Sequence, residues 1–258
     1  MRVFSGVLFA AVAITGGLAA DRAAAAPDEI QVYTEDMDDP GQFGLELHTN
    51  YVLKGATAPS FDGEMRSEHR LQVTPEFSYG LTRTLEAGLY LPVAMSSGGD
   101  LYGNGARLRL KYIAPHADGA YIFWGLNGEY GYSASRVSES RTGLELRPIV
   151  GYRDARWLVA FNPILDMELS GNASREPNFE PALKVSHATG EGVHAGVEYY
   201  GEYGPINHLV PAGERAHYFY GVLDIDIKGF DINLGIGRGV ENAADKWVAK
   251  AIVAFPFR

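Results

Sequence analysis

The stretch Phe219–Gly237 reads FYGVLDIDIKGFDINLGIG. Up to Ile227 apolar residues fall on alternate positions, Phe219, Leu223, Ile225 and Ile227 with Gly221 among them, while Asp224 and Asp226 hold the positions between. Lys228-Gly229 interrupts, and the alternation resumes with Phe230, Ile232, Leu234 and Ile236 against Asp231 and Asn233. A period of two with one apolar and one wet face specifies a half-buried strand, and two such runs around a Gly-containing dipeptide specify a hairpin. The wet face carries carboxylates and an amide. The rest of the chain must explain what surrounds such a surface.

The same unit recurs along the sequence. Phe43, Leu45, Leu47, Thr49, Tyr51 and Leu53 oppose Glu46, His48 and Asn50; Leu71, Val73, Phe77 and Tyr79 oppose Arg70, Gln72, Thr74 and Glu76. Leu85 to Val93 alternates against Glu86, and Ala106, Leu108, Leu110 and Tyr112 against Arg107, Arg109 and Lys111. Ile122 to Tyr130 opposes Asn127 and Glu129, and Leu144 to Tyr152 opposes Glu145, Arg147 and Arg153. Trp157 to Leu169 opposes Asn162, Asp166 and Glu168; Phe179 to Val185 opposes Glu180 and Lys184; Val193 to Tyr199 opposes His194 and Glu198. The last run, Trp247 to Phe257, carries Lys250 on its other face. With the opening hairpin this makes about twelve strands. The reading is all-β: a transmembrane antiparallel up-and-down barrel over 43–258, apolar outside against lipid and polar inside.

Composition agrees. Mean hydropathy is −0.11, as expected where apolar and polar positions alternate. Cysteine is absent, which excludes a disulfide framework and a thiolate metal site. The net charge of −10 argues against a nucleic-acid partner, which requires a basic face.

At the amino end Met1-Arg2 forms a short positive region, Val3 to Ile14 is almost wholly apolar, and Ala23-Ala24-Ala25 supplies small residues for cleavage. Residues 1–25 therefore read as a signal peptide. Its removal takes away Arg2, Arg22 and Asp21, leaving 20 basic and 31 acidic residues, a net of −11. Residues 26–42, with Asp36, Asp38, Asp39 and Pro40-Gly41, read as an acidic periplasmic lead-in. The aspartates lack the glycine and terminal glutamate of an EF-hand loop, so a solvated turn is expected there.

Connection lengths alternate in the sense a barrel with both termini periplasmic requires. Gly55 to Ser67, Ser96 to Gly105, Ser135 to Arg141, Gly171 to Asn178, Tyr203 to Glu214 and Gly239 to Asp245 are the longer links. Gly80 to Thr82, His116 to Gly119, Asp154-Ala155, Thr189 to Gly192 and Lys228-Gly229 are the shorter ones. Tyr51, Tyr79, Tyr102, Tyr121, Tyr132, Tyr152, Trp157, Tyr203, Tyr218 and Trp247 lie near strand ends, where amphipathic rings form interfacial girdles. The chain closes on Phe255-Pro256-Phe257-Arg258.

Signal peptide, alternating strands and aromatic carboxy terminus together resemble Gram-negative outer-membrane β-barrels across Phe43 to Phe257. Arg258 after the final Phe departs from the usual ending. The phrasing of Glu29 to Gly55 and Asn104 to Pro115 resembles an uncharacterised proteobacterial porin-like barrel family. The resemblance implies outer-membrane lipid around the barrel, contact of the carboxy-terminal strand with the barrel-assembly machinery, and no transferable activity.

The pore-lining candidates are Arg107, Arg109, Lys111, Glu86, Glu129, Glu145, Arg147, Asp166, Glu168, Glu198, Asp224 and Asp226. Three cations on one strand face suit a track for anionic solutes, or else pair with neighbouring carboxylates, Glu86 and Glu129 first. Acids outnumber bases over the inward set, so an open lumen is expected to prefer cations mildly while keeping a local site for an anionic solute. Catalysis is not expected. Asp166 and Glu168 merely share a strand face, and Ser186-His187 point to opposite faces. His69, His116, His187, His208 and His217 show no ligand spacing, and Gly235 to Gly239 opens no helix. No cofactor or metal is anticipated. The expected function is a passive channel or small-solute transporter, monomeric by closure. The alternatives are a closed, ion-paired barrel with a structural or surface-interaction role, and a lipid-modifying enzyme.

Overall fold

The computed structural model describes residues 29–117, 119–171, 175–241 and 244–256. The proposed signal peptide and the final Phe-Arg lie outside these. Twelve strands form one antiparallel ring. They are β1 (Phe43–Lys54), β2 (Leu71–Thr82), β3 (Leu85–Tyr90 and Val93–Met95), β4 (Leu101–Gly103 and Gly105–Ile113), β5 (Ile122–Ser133), β6 (Thr142–Arg153), β7 (Trp157–Glu168), β8 (Asn178–Gly190), β9 (Val193–Glu202), β10 (Ala216–Ile227), β11 (Phe230–Gly239) and β12 (Trp247–Phe255). Each pairs with its sequence neighbours, and β1 pairs with both β2 and β12, so the ring closes without an edge.

The period-two pattern sets the faces. Leu108, Ile122, Trp124, Val197, Phe219 and Ile236 stand on the outside, more than half exposed, as lipid-facing residues must be. His48, Gln72, Glu76, Glu86, Arg109, Asn127, Arg147, Asn162, Glu198 and Lys250 are buried inside. Turn chemistry agrees at the opening hairpin. Lys228 and Gly229 both take positive φ, 55° and 82°, which gives the two-residue primed turn that matches strand twist.

Proline breaks one strand. Pro92 has no amide to donate, β3 pauses at Leu91-Pro92, and its upper part pairs with Leu101–Gly103 as a short ribbon. This ribbon lengthens β4 beyond the Ala106 start expected from the pattern. The links alternate as expected except at 114–121, which is as long as 134–141 at the opposite end. Aromatic side chains gather at both rims. Phe43–Tyr79, Tyr121–Tyr152 and Phe230–Phe255 lie at the short-turn end; Phe179–Tyr203 and Tyr199–His217 lie at the other. Tyr218 is not among them. Strand parity turns it inward, where it is 2% exposed and its hydroxyl accepts from the Asp245 amide at 3.0 Å.

Two findings depart from a wholly polar interior. The inward faces of β5 to β8 carry Phe123, Ile149, Leu158, Ala160, Ile164 and Ala182, which form one apolar cluster. Val52, Ala216, Tyr218, Tyr220, Val222 and Val248 form another toward the long-loop end. Each cluster is completed from the acidic stretch before β1, the first by Val32 and Tyr33 and the second by Ile30. The solvated turn expected in the lead-in is found at residues 39–42, but the stretch before it does not lie outside. Ile30, Val32 and Tyr33 are buried within the ring. The physical reason is the alternation of Ile30 and Val32 in an otherwise polar stretch, which matches sockets that would otherwise be apolar surface in a wet lumen.

Candidate functional site

The site is the lumen and the segment threaded through it. At the short-turn end the segment is pinned by backbone. Gly41 N–H donates to Gly80 O at 2.7 Å, and Gly80 N–H donates to Gln42 O at 3.0 Å. Above this, Asp38 N–H donates to Glu86 Oε2 at 2.5 Å, and Lys111 Nζ donates to Asp36 O at 2.6 Å. Mid-lumen, Asn162 clamps the Tyr33 backbone through both its N–H and its carbonyl. Tyr33 N–H donates to Asn162 Oδ1 at 2.7 Å, and Asn162 Nδ2 donates to Tyr33 O at 3.1 Å. Arg147 donates to Gln31 O at 3.2 Å and Lys250 to Ile30 O at 2.9 Å. Strand side chains thus supply the partners that a neighbouring strand would normally give. This is how irregular backbone satisfies its polar groups inside a barrel.

Tyr33 is the centre of the assembly. Its hydroxyl contacts Tyr90 Oη and Glu129 Oε1, and Arg147 lies 4.2 Å from its ring centroid with Lys111 at 5.2 Å. Such cation–π contacts strengthen where water is excluded. The long cations lie flat because the strands beneath them are bare. A side chain on Gly88 would meet Arg109 Nε at 2.6 Å, and one on Gly131 would meet the Arg107 stem at 2.5 Å.

All twelve candidate residues occupy inward strand positions, but they form separate groups. Arg109 bridges Glu76 at 2.7 Å and Glu86 at 2.6 Å, and Arg107 reaches Glu129 and Glu29, each at 3.5 Å. Pairing therefore takes up Arg107 and Arg109 of the three-cation strip, while Lys111 is engaged by the segment's backbone. Arg147 pairs with Glu145 at 2.8 Å and approaches Glu29 at 3.7 Å. On the far wall Lys184 joins Asp224 at 2.6 Å and Glu198 at 3.3 Å, and Lys250 also contacts Glu198. Asp166 faces Glu145 across β6–β7 in register, and Glu168 lies two residues further toward the long loops. Asp226 lies at the short-turn mouth.

A cavity of about 800 Å³ remains beside the segment at that mouth. It is lined by ten carboxylates, among them Glu46, Glu76, Glu198 and Asp231, against Arg109, Lys111, Arg153 and Lys184. Arg153 is turned toward the segment, meeting Glu35 at 2.7 Å and Asp36 at 2.6 Å. The vestibule is therefore acidic. Toward the long loops lies the apolar cluster that Ile30 completes.

Sequence reasoning missed Glu29, Gln31, Tyr33, Glu35 and Asp36 as lumen residues. It also missed the convergence of Glu46, His48 and Glu76, whose ligating atoms lie within 4.8 Å of one another. That convergence depends on the register Glu46↔Glu76 between β1 and β2, which spacing along one strand cannot show. Ser186 is buried inward while His187 packs outside on Trp157, 4.4 Å between centroids, so the two cannot act together.

No family model and no curated protein matches this sequence. Solved structures share its fold. The NanC porin superposes with a TM-score of 0.57 at 13% identity, over 83% of this chain and all of its own. An outer-membrane channel from Pseudomonas putida F1 gives 0.57 at 13% identity, over 89% of this chain and all of its own. The KdgM porin gives 0.56 at 7% identity, over 83% of this chain and 99% of its own. At such identities the likeness is one of fold: a closed porin-like barrel of the outer-membrane type.

Proposed function

We propose that this chain is a bacterial outer-membrane channel for small polar or charged solutes, with a lumen held nearly shut by its own amino-terminal segment. One observation carries the reading. The ring is apolar toward lipid and ionised within, and the ionised face opens into an acidic vestibule at one mouth. A purely structural barrel has no need of that vestibule, and porin-like barrels share the fold. The short-turn end is the periplasmic one, so β1 and β12 begin and end there, and closure of the ring makes the monomer the working unit. Contact with the assembly machinery falls to β12. This reading rests on the porin-like fold and assigns no catalytic role.

Passage of a bulky solute requires the segment to move, because Ile30 and Tyr33 are buried inside the ring and complete its two apolar clusters. Small cations gain from the vestibule's carboxylate excess. The deciding experiment is planar-bilayer recording of refolded full-length protein beside a variant lacking residues 29–39. Small, mildly cation-selective steps are expected from the first. Larger steps with weaker cation preference are expected from the second, since Glu29, Glu35, Asp36, Asp38 and Asp39 leave with the segment. Silence from both folded proteins would refute the channel. It would favour a closed, ion-paired barrel, a reading that the apolar filling of the lumen also supports.

A further inference from the structure

We propose that Glu46, His48 and Glu76 form a binding site for a divalent transition metal of the zinc type. Glu46 and His48 lie two residues apart on the inward face of β1, and Glu76 sits directly opposite Glu46 on β2. Two carboxylates facing each other across a ladder repel unless something positive lies between them. His48, 1% exposed, turns Nε2 into the gap, 3.0 Å from Glu76 Oε2 and 3.6 Å from Glu46 Oε2. A tetrahedral ion holding nitrogen and oxygen at about 2.0–2.1 Å separates its ligand atoms by roughly 3.3 Å. The two edges that meet at His48 Nε2 bracket that value, and all three ligating atoms lie within 4.8 Å of one another. A water from the vestibule supplies the fourth position.

The surroundings are those of a ligand set. Glu76 divides its oxygens: Oε1 is held by Arg109 at 2.7 Å, which leaves Oε2 for the cluster. Anchoring of a ligating carboxylate by an outer partner is the usual support for such sites. Arg109 and Lys111 do not cancel the site's charge, because Glu46, Glu76 and Glu86 present three carboxylates to these two cations. Glu46 and Glu76 both line the vestibule, so an ion reaches them from the short-turn mouth. The nitrogen ligand selects against Mg²⁺ and Ca²⁺, which prefer oxygen alone. His48 Nδ1 has no hydrogen-bond partner, so the site is exchangeable rather than a structural zinc. Gln31 of the luminal segment donates its amide to Glu46 Oε2 at 3.2 Å, an outer partner for this ligand.

The test uses refolded full-length protein in detergent with Zn²⁺ by calorimetry and Co²⁺ by visible absorption, both in excess Mg²⁺. One Zn²⁺ per barrel is expected, with Co²⁺ bands typical of a four- or five-coordinate nitrogen–oxygen site. His48→Gln and Glu46→Gln are each expected to weaken Zn²⁺ by roughly 100-fold or more, as loss of a direct ligand should exceed the 10–100-fold cost of losing an outer partner. Binding that persists unchanged in both variants, or no intense Co²⁺ bands in the unsubstituted protein, would overturn the assignment. The second readout stands even where a variant fails to refold.

Discussion

Replacing Asn162 by Ala should release the luminal segment while leaving the barrel intact. Asn162 is fully buried, and its side chain makes two hydrogen bonds to the Tyr33 backbone, to its N–H and its carbonyl, at 2.7 and 3.1 Å. Truncation leaves a buried amide and a buried carbonyl without partners. Each orphaned group costs about 1–3 kcal/mol, so the seated segment loses about 2–6 kcal/mol relative to the displaced one. Taking the lower bound, and about 1.4 kcal/mol for each factor of ten, the seated-to-displaced ratio falls by about 30-fold or more. The remaining ties, Lys250 to Ile30 O, Arg147 to Gln31 O and Lys111 to Asp36 O, are untouched. The backbone ladder of β7 with β6 and β8 does not involve the Asn162 side chain. Hydrogen exchange of a peptide covering residues 30–36 reads this ratio directly. Exchange should accelerate by about 30-fold or more there, with β7 and β8 amides unchanged. Unaltered protection over 30–36 would refute the view that the Asn162 clamp holds the segment. A matching loss of protection in β7 and β8 would show instead that the barrel itself had loosened.

Four further outcomes follow from the same structure. Glu198→Ala removes the carboxylate partner of buried Lys250 and leaves Lys184 to Asp224 alone, and should cost about 3–5 kcal/mol, read as a lower urea midpoint for refolding into vesicles. Leu108→Arg, on the lipid face, should cost about 2–4 kcal/mol in the same assay if it lies near the bilayer midplane. Lys228→Asn should stabilise the β10–β11 hairpin by a few tenths of a kcal/mol, since Asn tolerates the left-handed backbone better than Lys, and a small rise in thermal midpoint checks it. In the 154–156 turn the Tyr152 hydroxyl, then the Arg156 and Trp157 amides, donate to Asp154 and hold its carboxyl below the usual range. A depressed folded-state pKa gives stability that is present above the unfolded value and lost as pH falls through the folded one. Midpoints of parent and Asp154→Ala should therefore differ at neutral pH and converge in acid; a constant gap would contradict the assignment.

The ring was legible because a strand's period is short and each of its repeats is independent evidence. Tyr51 outward and His48 inward follow from parity alone, and the short turns at 228–229 and 191–192 fix the direction of travel. The luminal segment was not legible, because Ile30 and Val32 give only one cycle of alternation among carboxylates. Its sockets did leave a trace. Leu158 and Ala160 lie between Trp157, Val159 and Phe161, which makes a run apolar on both faces, the pattern of a strand covered on both sides. Gly88 and Gly131 left another, as inward positions whose missing side chains make room for Arg109 and Arg107. The pairing of Arg109 with Glu76, and the meeting of Glu46 with His48 and Glu76, required the register between strands. Register is a property of pairs of strands, so no single run of sequence contains it.

The luminal segment is continuous with β1, and β1 is the strand that meets β12 to close the ring. Fourteen residues from Glu29 to Gln42 reach at most about 50 Å when extended, enough to cross the hydrocarbon layer of about 30 Å. During biogenesis this length must enter a space that its own strand seals. Either it is laid against β5 to β8 before the β1–β12 seam forms, or it is fed inward afterwards, pivoting at Gly41 and Gly80. In the first order of events the segment is a template on which the sheet curls. Substitutions at Ile30 or Tyr33 would then be felt in the yield and rate of barrel closure, before any solute meets the finished protein.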